Sequence, residues 1–313
     1  MIKSYFIDKT KENWKEAYLQ ERRKYIGASD VAGIVGMSPY SSAMKVWFDK
    51  VEGSSQSKEN IPAELGLFLE PYLRKKFVEK FKKNYDIDIA TVELPYIISH
   101  DEFPFFTCTL DDTFIHPDTA QDCIIEYKST SEYKKKEWET EETEEVPVYY
   151  SIQVQWQLFV TGWERAFIGV LIGNSRFLIR EIVRDEELIQ SLKNKVLDFK
   201  ENFIDKKVMP MADGSSYTDD VIKILYGESS GQILEDSKKI DELRAILGEY
   251  DIKKINFDLA KLEVEKTKQQ VKIIMAENEL ALVDGRKISF KNIKKFVPAY
   301  SCEYRELRIN SAK

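Results

Sequence analysis

The chain has 313 residues, of which 43% are hydrophobic and 12% aromatic, enough for one large domain or for one domain with an extension. No stretch approaches the roughly 18 apolar residues of a membrane helix, and the N-terminus has no apolar stretch of signal-peptide length, so we expect a cytoplasmic protein. The formal net charge of −7 argues against a protein that coats nucleic acid by bulk charge, but it does not exclude a local basic groove.

The small number of cysteines and histidines limits the kinds of metal site and catalytic site that the chain can form. Cys108, Cys123 and Cys302 form an odd set without metal-ligand spacing, which fits a reducing compartment. Three cysteines also argue against an iron–sulfur cluster, which normally needs four. His100 and His116 are too few for a zinc site built from histidines, and they argue against a Ser–His triad.

Residues 10–24 predict an amphipathic helix that runs into a basic segment and then Gly27. Gly27 permits a tight turn, and Ser29 or Asp30 is expected to cap the helix that follows. A helix N-terminus with a serine hydroxyl and Arg22 nearby offers amide donors, a dipole and a charge to a phosphate. An ordinary capped helix with solvated basic residues is the simpler interpretation of this segment alone.

A helical pattern over residues 62–83 places Glu70 beside an inward apolar stripe. Glu70 is either a charge at the boundary of the core or a carboxylate directed at a metal site. Pro71 predicts a kink or a restart of the helix, because proline inside a helix removes a backbone hydrogen bond. The residues predicted to point inward are Leu65, Phe68, Leu69, Leu73, Phe77 and Phe81.

Residues 105–130 contain the segment on which the interpretation of the whole chain depends. Residues 105–110 alternate and are rich in Phe and Thr, so they predict a strand that ends at Asp111 and Asp112. A polar connection with turn residues follows. A second apolar run, which starts at Cys123, predicts another strand.

The second strand carries a group of charged side chains. Residues two apart on a strand share a face, so Glu126 and Lys128 project together and Tyr127 points the other way. If the two predicted strands pair, Asp111 reaches the face of Glu126 and Lys128. Two carboxylates can hold Mg²⁺, and a lysine can orient a water and offset phosphate charge during phosphodiester hydrolysis. An edge strand with a solvated Glu–Lys pair is the alternative.

Residues 148–161 predict a helix that ends at Gly162. Gln153 and Gln155 lie two positions apart and cannot both face one side of it. At most one of these glutamines is therefore expected to point at the metal site. The other is expected to be a surface or packing residue.

The remaining elements form a hairpin, a helix and a distinct C-terminal part. Residues 207–235 resemble a linker, because they are rich in Gly, Ser and Asp. The C-terminal part is expected to be an appendage for interaction or DNA contact. The predicted elements are strands over residues 165–172 and 176–183, a helix over 185–206, one long helix or a helical hairpin over 237–278, and a small hairpin around Asp284-Gly285.

Taken together, these segments resemble the YqaJ-type viral recombinase family of the PD-(D/E)xK nuclease superfamily, whose best-known relative is phage lambda exonuclease. The resemblance covers residues 10–205 and rests on Arg22 followed by IGASD, then GLFLEP, TLDD, IIEYKS and YYSIQVQWQLFVTG. It implies an α/β (α+β) fold with a restriction-endonuclease-like core, a central mixed β-sheet flanked by helices, over residues 1–208. Residues 209–313 are expected to form a helical extension that ends in a small β-hairpin.

The resemblance assigns roles to the charged residues of the two predicted strands. Asp111 and Glu126 match the metal-binding carboxylates, the backbone carbonyl of Tyr127 matches a further metal ligand, and Lys128 matches the catalytic lysine. This chain has Asp112 where the family usually has glycine. Asp112 is therefore an alternative metal ligand or an additional charge, and a longer connection than in lambda exonuclease leaves the strand register open.

The resemblance also assigns four residues outside these strands. Glu70 matches the helix carboxylate near the metals, and Gln153 matches the glutamine of the following helix. Arg22 and Ser29 match the pair that binds the 5′-terminal phosphate of the substrate. Residues 210–313 lie outside the match to lambda exonuclease.

Proteins of this family resect one strand of linear double-stranded DNA from the 5′ end with Mg²⁺, and they pass the 3′ overhang to a single-strand annealing recombinase. We therefore expect a magnesium-dependent 5′-to-3′ exonuclease, with Mn²⁺ as a substitute ion, of phage or prophage origin in the bacterial cytoplasm. Family analogy suggests a homo-oligomeric ring of three. The alternatives are a site-specific or structure-specific endonuclease of the same fold, and a non-catalytic DNA-end-binding recombination scaffold.

Overall fold

The computed structural model describes residues 2–53, 61–138, 145–229 and 231–290. The chain divides into two compact units, Met1–Leu225 and Tyr226–Lys313. The domain boundary expected between residues 208 and 209 stays a prediction. Cys302 lies outside the described residues.

The first unit alternates helices and strands, and it also contains a 3-10 helix (Glu132–Glu137) and a π-helical turn (Lys200–Ile204). Its strands are β1 (Ile2–Phe6), β2 (Ile26–Gly27), β3 (Tyr96–Ser99), β4 (Phe106–Cys108), β5 (Asp112–Ile115), β6 (Asp122–Thr130), β7 (Arg165–Ile172) and β8 (Arg176–Val183). Its helices are α1 (Trp14–Arg22), α2 (Ala28–Ile34), α3 (Ala43–Val51), α4 (Ile61–Tyr85), α5 (Val148–Thr161), α6 (Glu186–Phe199) and α7 (Ser216–Tyr226).

Two four-stranded sheets organise this unit. One has the strand order β1-β3-β4-β2 and the other β5-β6-β7-β8. Both sheets are mixed, because β2 runs parallel to β4 and β6 runs parallel to β7 while the other pairs are antiparallel. Helix α5 packs on strands of both sheets, and α4 packs on the second. The predicted class, a mixed α/β fold with helices flanking the sheet, is confirmed.

The strand that pairs with β6 is not the predicted one. The run expected over residues 105–110 is shortened to β4, which belongs to the first sheet. The partner of β6 is β5, in an antiparallel register that runs from Asp112 opposite Ile125 to Ile115 opposite Asp122. Asp111 and Asp112 therefore lie where the chain leaves the first sheet and enters the second. Two adjacent aspartates are typical of a strand end in the sequence, and nothing near them in the chain shows that Asp112 is buried, because its partner Arg74 is 38 residues away.

The predictions for α5, β7 and β8 are confirmed. Their bounds are those expected, and Gly162 ends α5 with a φ of 75°, a left-handed conformation that favours glycine. Most of α5 is buried, including Val154, Trp156 and Leu158. The helix therefore lies in the core, and its polar side chains need partners there.

Helix α4 departs from the predicted pattern in its N-terminal half. Leu73 and Phe77 are buried as expected, but Leu65 and Phe68 are exposed, because this helix packs on the second sheet mainly through its later turns. The helix also runs without a restart through Pro71, which is exposed. Solvent can satisfy the carbonyl group that loses its hydrogen bond there.

The segment predicted as a linker over residues 207–235 contains helix α7. Its Val221 is fully buried in a cluster with residues of α3 and α6, and the hydroxyl of Thr218 lies 3.2 Å from that of Ser42. The Gly- and Ser-rich composition concealed this helix, because its apolar stripe is only a few residues long.

The described part of the second unit contains helix α8 (Ser237–Met275) and the hairpin β9 (Leu280–Val283) and β10 (Arg286–Ser289). Helix α8 is one helix of 39 residues, which decides between the two predicted forms. Asp284 and Gly285 both have positive φ angles, as a two-residue hairpin turn requires. Among the described helices, none has a stretch apolar and long enough to cross a membrane.

Candidate functional site

Strand β6 lies between β5 and β7 and carries the predicted charged pair. Glu126 is only 4% exposed, and its Oε1 lies 2.5 Å from Nζ of Lys128. Tyr127 points to the other face, where its ring packs edge-on against Phe77 of α4. The predicted alternation is confirmed. The alternative of a solvated pair on an edge strand is wrong, because β6 is an interior strand and the Glu126 carboxylate is buried.

Asp111 immediately precedes β5 and faces the same group. Its Oδ2 accepts a hydrogen bond from the backbone N–H of Tyr127 at 2.8 Å. Burial raises the pKa of the Asp111 carboxyl well above its usual value, the charge of Glu126 raises it further, and Lys128 lowers it. Asp111 is therefore within electrostatic reach of both Glu126 and Lys128.

Asp112 lies on the opposite face of the sheet. It is fully buried, and Arg74 of α4 donates to both of its carboxylate oxygens, from Nε at 2.5 Å and from Nη2 at 2.8 Å. The hydroxyl of Tyr127 donates to Oδ2 at 2.7 Å. Asp111 is therefore the aspartate that lies beside Glu126, and Asp112 is committed to a different ion pair.

Two glutamines of α5 hold the Glu126 carboxylate. Nε2 of Gln153 donates to Oε1 at 2.7 Å, and Nε2 of Gln157 donates to Oε2 at 2.7 Å and to the carbonyl of Thr109 at 3.1 Å. The sequence interpretation considered Gln153 and missed Gln157. The signal was present, because residues four apart on a helix lie on the same face.

Gln155 is directed away from this group. It donates to the carbonyl of Val183 at 2.8 Å and accepts from the N–H of Asp185 at 3.0 Å. These contacts join α5 to the end of β8 and to the N-cap of α6. The expectation that Gln153 and Gln155 do not share a face is confirmed.

Glu70 lies at the margin of the group formed by Asp111, Glu126 and Lys128. Its Oε1 is 3.9 Å from Nζ of Lys9 and 3.8 Å from Nη2 of Arg74. Burial raises the pKa of Glu70, Lys9 and Arg74 lower it, and Glu93 adds to the increase. Glu70 also contributes to the raised pKa of Asp111, so the two carboxylates are within electrostatic reach of each other.

Arg22 and Ser29, the residues assigned to the 5′ phosphate, are in contact. Nη2 of Arg22 donates to the hydroxyl of Ser29 and to Oδ1 of Asp30 at 3.2 Å. Nζ of Lys50, a largely buried group, lies 2.7 Å from Oδ2 of Asp30. Arg22 and Ser29 line a polar cavity to which Gln153 also contributes. This cavity therefore reaches the glutamine that holds Glu126.

Helix α2 begins earlier than predicted. Its N-cap residue is Gly27, and the N–H of Gly27 donates to Oδ2 of Asp30 at 2.9 Å. The expected cap at Ser29 or Asp30 is therefore wrong. Both residues lie in the first turn, because the carboxylate of Asp30 reaches back to the turn at Gly27.

The oxygen donors of this group fit a hard divalent cation. Such ions take carboxylate, carbonyl and water oxygens. The buried carboxylate of Glu126 and the neighbouring carboxylate of Asp111 repel each other, and a cation would relieve that repulsion. Within the described ranges, no three His, Cys, Asp or Glu side chains converge as a ligand set. The remaining ligands must therefore come from the backbone, for which Tyr127 is the predicted donor, from movement of Glu70, or from water.

Comparison with known proteins shows what the part of the chain that contains this site is similar to. Residues 17–164 match the YqaJ-like viral recombinase domain, and this range includes every residue described above as a predicted ligand, catalytic residue or phosphate contact. Over this range the chain is therefore similar to the YqaJ-like viral recombinase domain, and the resemblance stated from the sequence is confirmed.

Individual relatives extend the comparison. The uncharacterized protein YqaJ of Bacillus subtilis (strain 168) is 29% identical over 293 residues, which cover 92% of this chain and 86% of the relative. LHK-Exo, an alkaline exonuclease from Laribacter hongkongensis, was solved in complex with dAMP; that structure is 19% identical with a TM-score of 0.49, covering 67% of this chain and 99% of its own. A phage related exonuclease from Haemophilus somnus 129PT is 15% identical with a TM-score of 0.39, covering 64% and 96%.

Proposed function

We propose that this protein is a magnesium-dependent exonuclease that degrades linear double-stranded DNA from the 5′ end. The 3′ overhang that remains would be the substrate of a single-strand annealing recombinase. The proposal rests on one observation above all. Gln153 holds Glu126 and also lines the cavity of Arg22 and Ser29, so the carboxylate–lysine group and the phosphate-binding pair adjoin each other.

This adjacency favours an end-dependent enzyme. A hydrolytic group beside a fixed phosphate pocket cuts at a set distance from a terminal phosphate. An endonuclease needs the same Asp111, Glu126 and Lys128 but has no use for a pocket that holds a chain end. The domain family, a viral recombinase type, is consistent with processing of DNA ends.

Asp111 and Glu126, with the carbonyl of Tyr127 and with Glu70 in support, would hold the cation, and Mn²⁺ would substitute for Mg²⁺. The cation would supply Lewis-acid polarisation of the phosphate and assist the deprotonation of water. The side chains of the protein would orient the water, offset the phosphate charge and bind the DNA end.

Lys128 would orient the attacking water and offset the charge that develops on the phosphate. Its ammonium group is held by Glu126, which in turn is held by the amides of Gln153 and Gln157. Arg22 would bind the 5′ phosphate through its guanidinium group, and Ser29 would donate its hydroxyl. After each cut, the same pair would receive the newly exposed 5′ phosphate.

The test is an incubation of the purified protein with linear and closed circular duplexes, with and without Mg²⁺. The linear duplexes carry either a 5′ phosphate or a 5′ hydroxyl. We expect mononucleotide release from linear DNA only, faster with a 5′ phosphate, and none in EDTA. Cleavage of circular DNA would favour an endonuclease. End binding without release would favour a non-catalytic scaffold.

A further inference from the structure

The opposite face of the second sheet carries an ion pair that the proposed chemistry does not use, between the fully buried Asp112 and the partly exposed Arg74. Arg74 grips both oxygens of Asp112, and the hydroxyl of Tyr127 donates to the same carboxylate. Burial, followed by the neighbouring Asp112 charge, raises the pKa of the Tyr127 hydroxyl, which therefore stays protonated and donates. We call Arg74, Asp112 and Tyr127 the clamp.

Each member of the clamp is a close neighbour of a predicted cation ligand. Asp112 follows Asp111 in the chain. Arg74 lies one helical turn after Glu70 on α4, with its Nη2 3.8 Å from the Glu70 carboxylate. Tyr127 follows Glu126, and its backbone N–H holds the Asp111 carboxylate while its side chain belongs to the clamp.

The clamp joins two elements that carry different ligands. Glu126 lies on strand β6 and Asp111 immediately precedes strand β5, whereas Glu70 belongs to α4. Arg74 of α4 makes a bidentate contact to Asp112 of β5. Such a contact fixes the distance and the orientation between the helix and the sheet better than a single hydrogen bond does. Because Asp112 is fully buried, solvent does not compete for it. Apolar packing of Phe77 also holds this helix to the sheet, but apolar burial is non-directional.

We propose that Arg74 and Asp112 are positioning residues for the cation site. They set the place of Glu70 relative to Asp111 and hold the backbone of Tyr127. The inference rests on the proposed function and deepens it. The inference also gives a role to Asp112, which lies where the family usually has glycine. Arg74 neutralises the charge of Asp112, and the Asp112 carboxylate points away from the carboxylates of Asp111 and Glu126.

The experiment measures binding of MgCl₂ and MnCl₂ to EDTA-treated, dialysed full-length protein by isothermal titration calorimetry. The variants are Arg74→Met, Asp112→Asn and Tyr127→Phe. We expect about 10- to 100-fold weaker binding for the first two, as for other residues that orient metal ligands. Tyr127→Phe, which removes one hydroxyl, should cause a smaller loss. Asp112→Asn keeps the shape of the side chain. It replaces one acceptor oxygen with an amide nitrogen, which is a donor and cannot accept the hydrogen bond of Arg74.

Lys76→Met is the matched control, because Lys76 lies on the same helix and its 2.7 Å contact to Glu79 is exposed. Its cation affinity should equal that of the wild type. Nuclease assays add a second readout. For a positioning role, the Mg²⁺ concentration at half-maximal rate should rise in Asp112→Asn, and saturating Mg²⁺ should restore most of the maximal rate. A merely structural pair would lower the melting temperature without this rescue.

Arg74→Lys, which keeps the charge without the bidentate contact, should recover only part of the affinity. If Arg74→Met does not fold, Asp112→Asn and Tyr127→Phe decide the outcome. Unchanged cation affinity in the folded variants would overturn this inference alone. Absence of cation binding in the wild-type protein would overturn the proposed function and this inference with it.

Discussion

Gln157 donates from Nε2 to Oε2 of Glu126 at 2.7 Å, and the same nitrogen lies 3.1 Å from the carbonyl of Thr109. One amide therefore links strand β6 to the segment that leads to Asp111. Gln157 is fully buried, and a buried carboxylate depends on such donors because water cannot replace them. The relative position of the two carboxylates thus depends on a fully buried residue of α5.

Gln157→Leu should lower both stability and nuclease activity. Loss of the donor leaves Oε2 of Glu126 unsatisfied, which costs roughly 1–3 kcal/mol of unfolding free energy. Chemical denaturation and a linear-duplex assay measure the two effects. Gln155→Leu is the matched control on the same helix: it loses contacts to Val183 and Asp185, so it should be destabilised similarly yet retain activity. Equal activity in the two variants would contradict this assignment.

Lys128→Ala should reduce the rate of hydrolysis on the order of 100-fold or more, because a cationic donor is lost where phosphate charge develops. The fold should persist, since Gln153 and Gln157 still donate to Glu126. Circular dichroism and single-turnover rates at saturating DNA check both points. Lys136→Ala, an exposed neighbour, should behave like the wild type. Near-normal hydrolysis by Lys128→Ala would remove this lysine from the mechanism.

Asp111 should make the metal-free protein less stable as pH rises. Burial and the charge of Glu126 raise its folded-state pKa, so the folded state binds the proton more tightly than the unfolded state. Stability then falls as pH rises from the usual aspartate pKa of about 3.9 towards the raised folded value, and each unit of elevation costs about 1.4 kcal/mol. Asp111→Asn removes this cost.

The measurement is thermal unfolding in EDTA between pH 4 and pH 8. Asp111→Asn should melt at a higher temperature than the wild type at pH 8, and the difference should shrink towards pH 4. Mg²⁺ should raise the melting temperature of the wild type but not of Asp111→Asn, because only the wild type offers the charged ligand. A constant difference at every pH would show that titration of Asp111 does not control stability.

Arg22→Met should abolish the preference for 5′-phosphorylated ends. The guanidinium group lies against Ser29 in the cavity beside Gln153, where it can contact a terminal phosphate. Rates on phosphorylated and hydroxyl-ended duplexes should then become nearly equal. Lys24→Met on the same segment should slow both substrates alike, through weaker general attraction to DNA. Retention of the wild-type ratio in Arg22→Met would place the phosphate elsewhere.

Local patterns determined much of the candidate site. The period of two along β6 placed Glu126 and Lys128 on one face and Tyr127 on the other, and the helical period separated Gln153 from Gln155. These results depend on the covalent geometry of strands and helices, which acts over a few residues. For the same reason the bounds of α5, β7 and β8 were predictable.

Other features depended on partners that are far apart in the chain. Arg74 precedes Asp112 by 38 residues, and Gln157 follows Glu126 by 31. Neither long separation is marked by a periodic pattern, although the helical period does place Gln157 on the same face as Gln153. The exposure of Leu65 was unpredictable for the same reason. How much of α4 packs on the sheet depends on the extent of that sheet, which is built from strands far from Leu65 in the chain.

The sequence by itself determined the composition of the site: which side chains share a face, and which chemistry two carboxylates and a lysine can support. Tertiary structure alone decided that β5 is the partner of β6, that Asp111 and not Asp112 lies beside Glu126, and that Gln157 completes the support of that carboxylate. The reason is physical. Backbone geometry sets the direction of each side chain locally, whereas the partner of a buried charge is chosen by the packing of the whole domain.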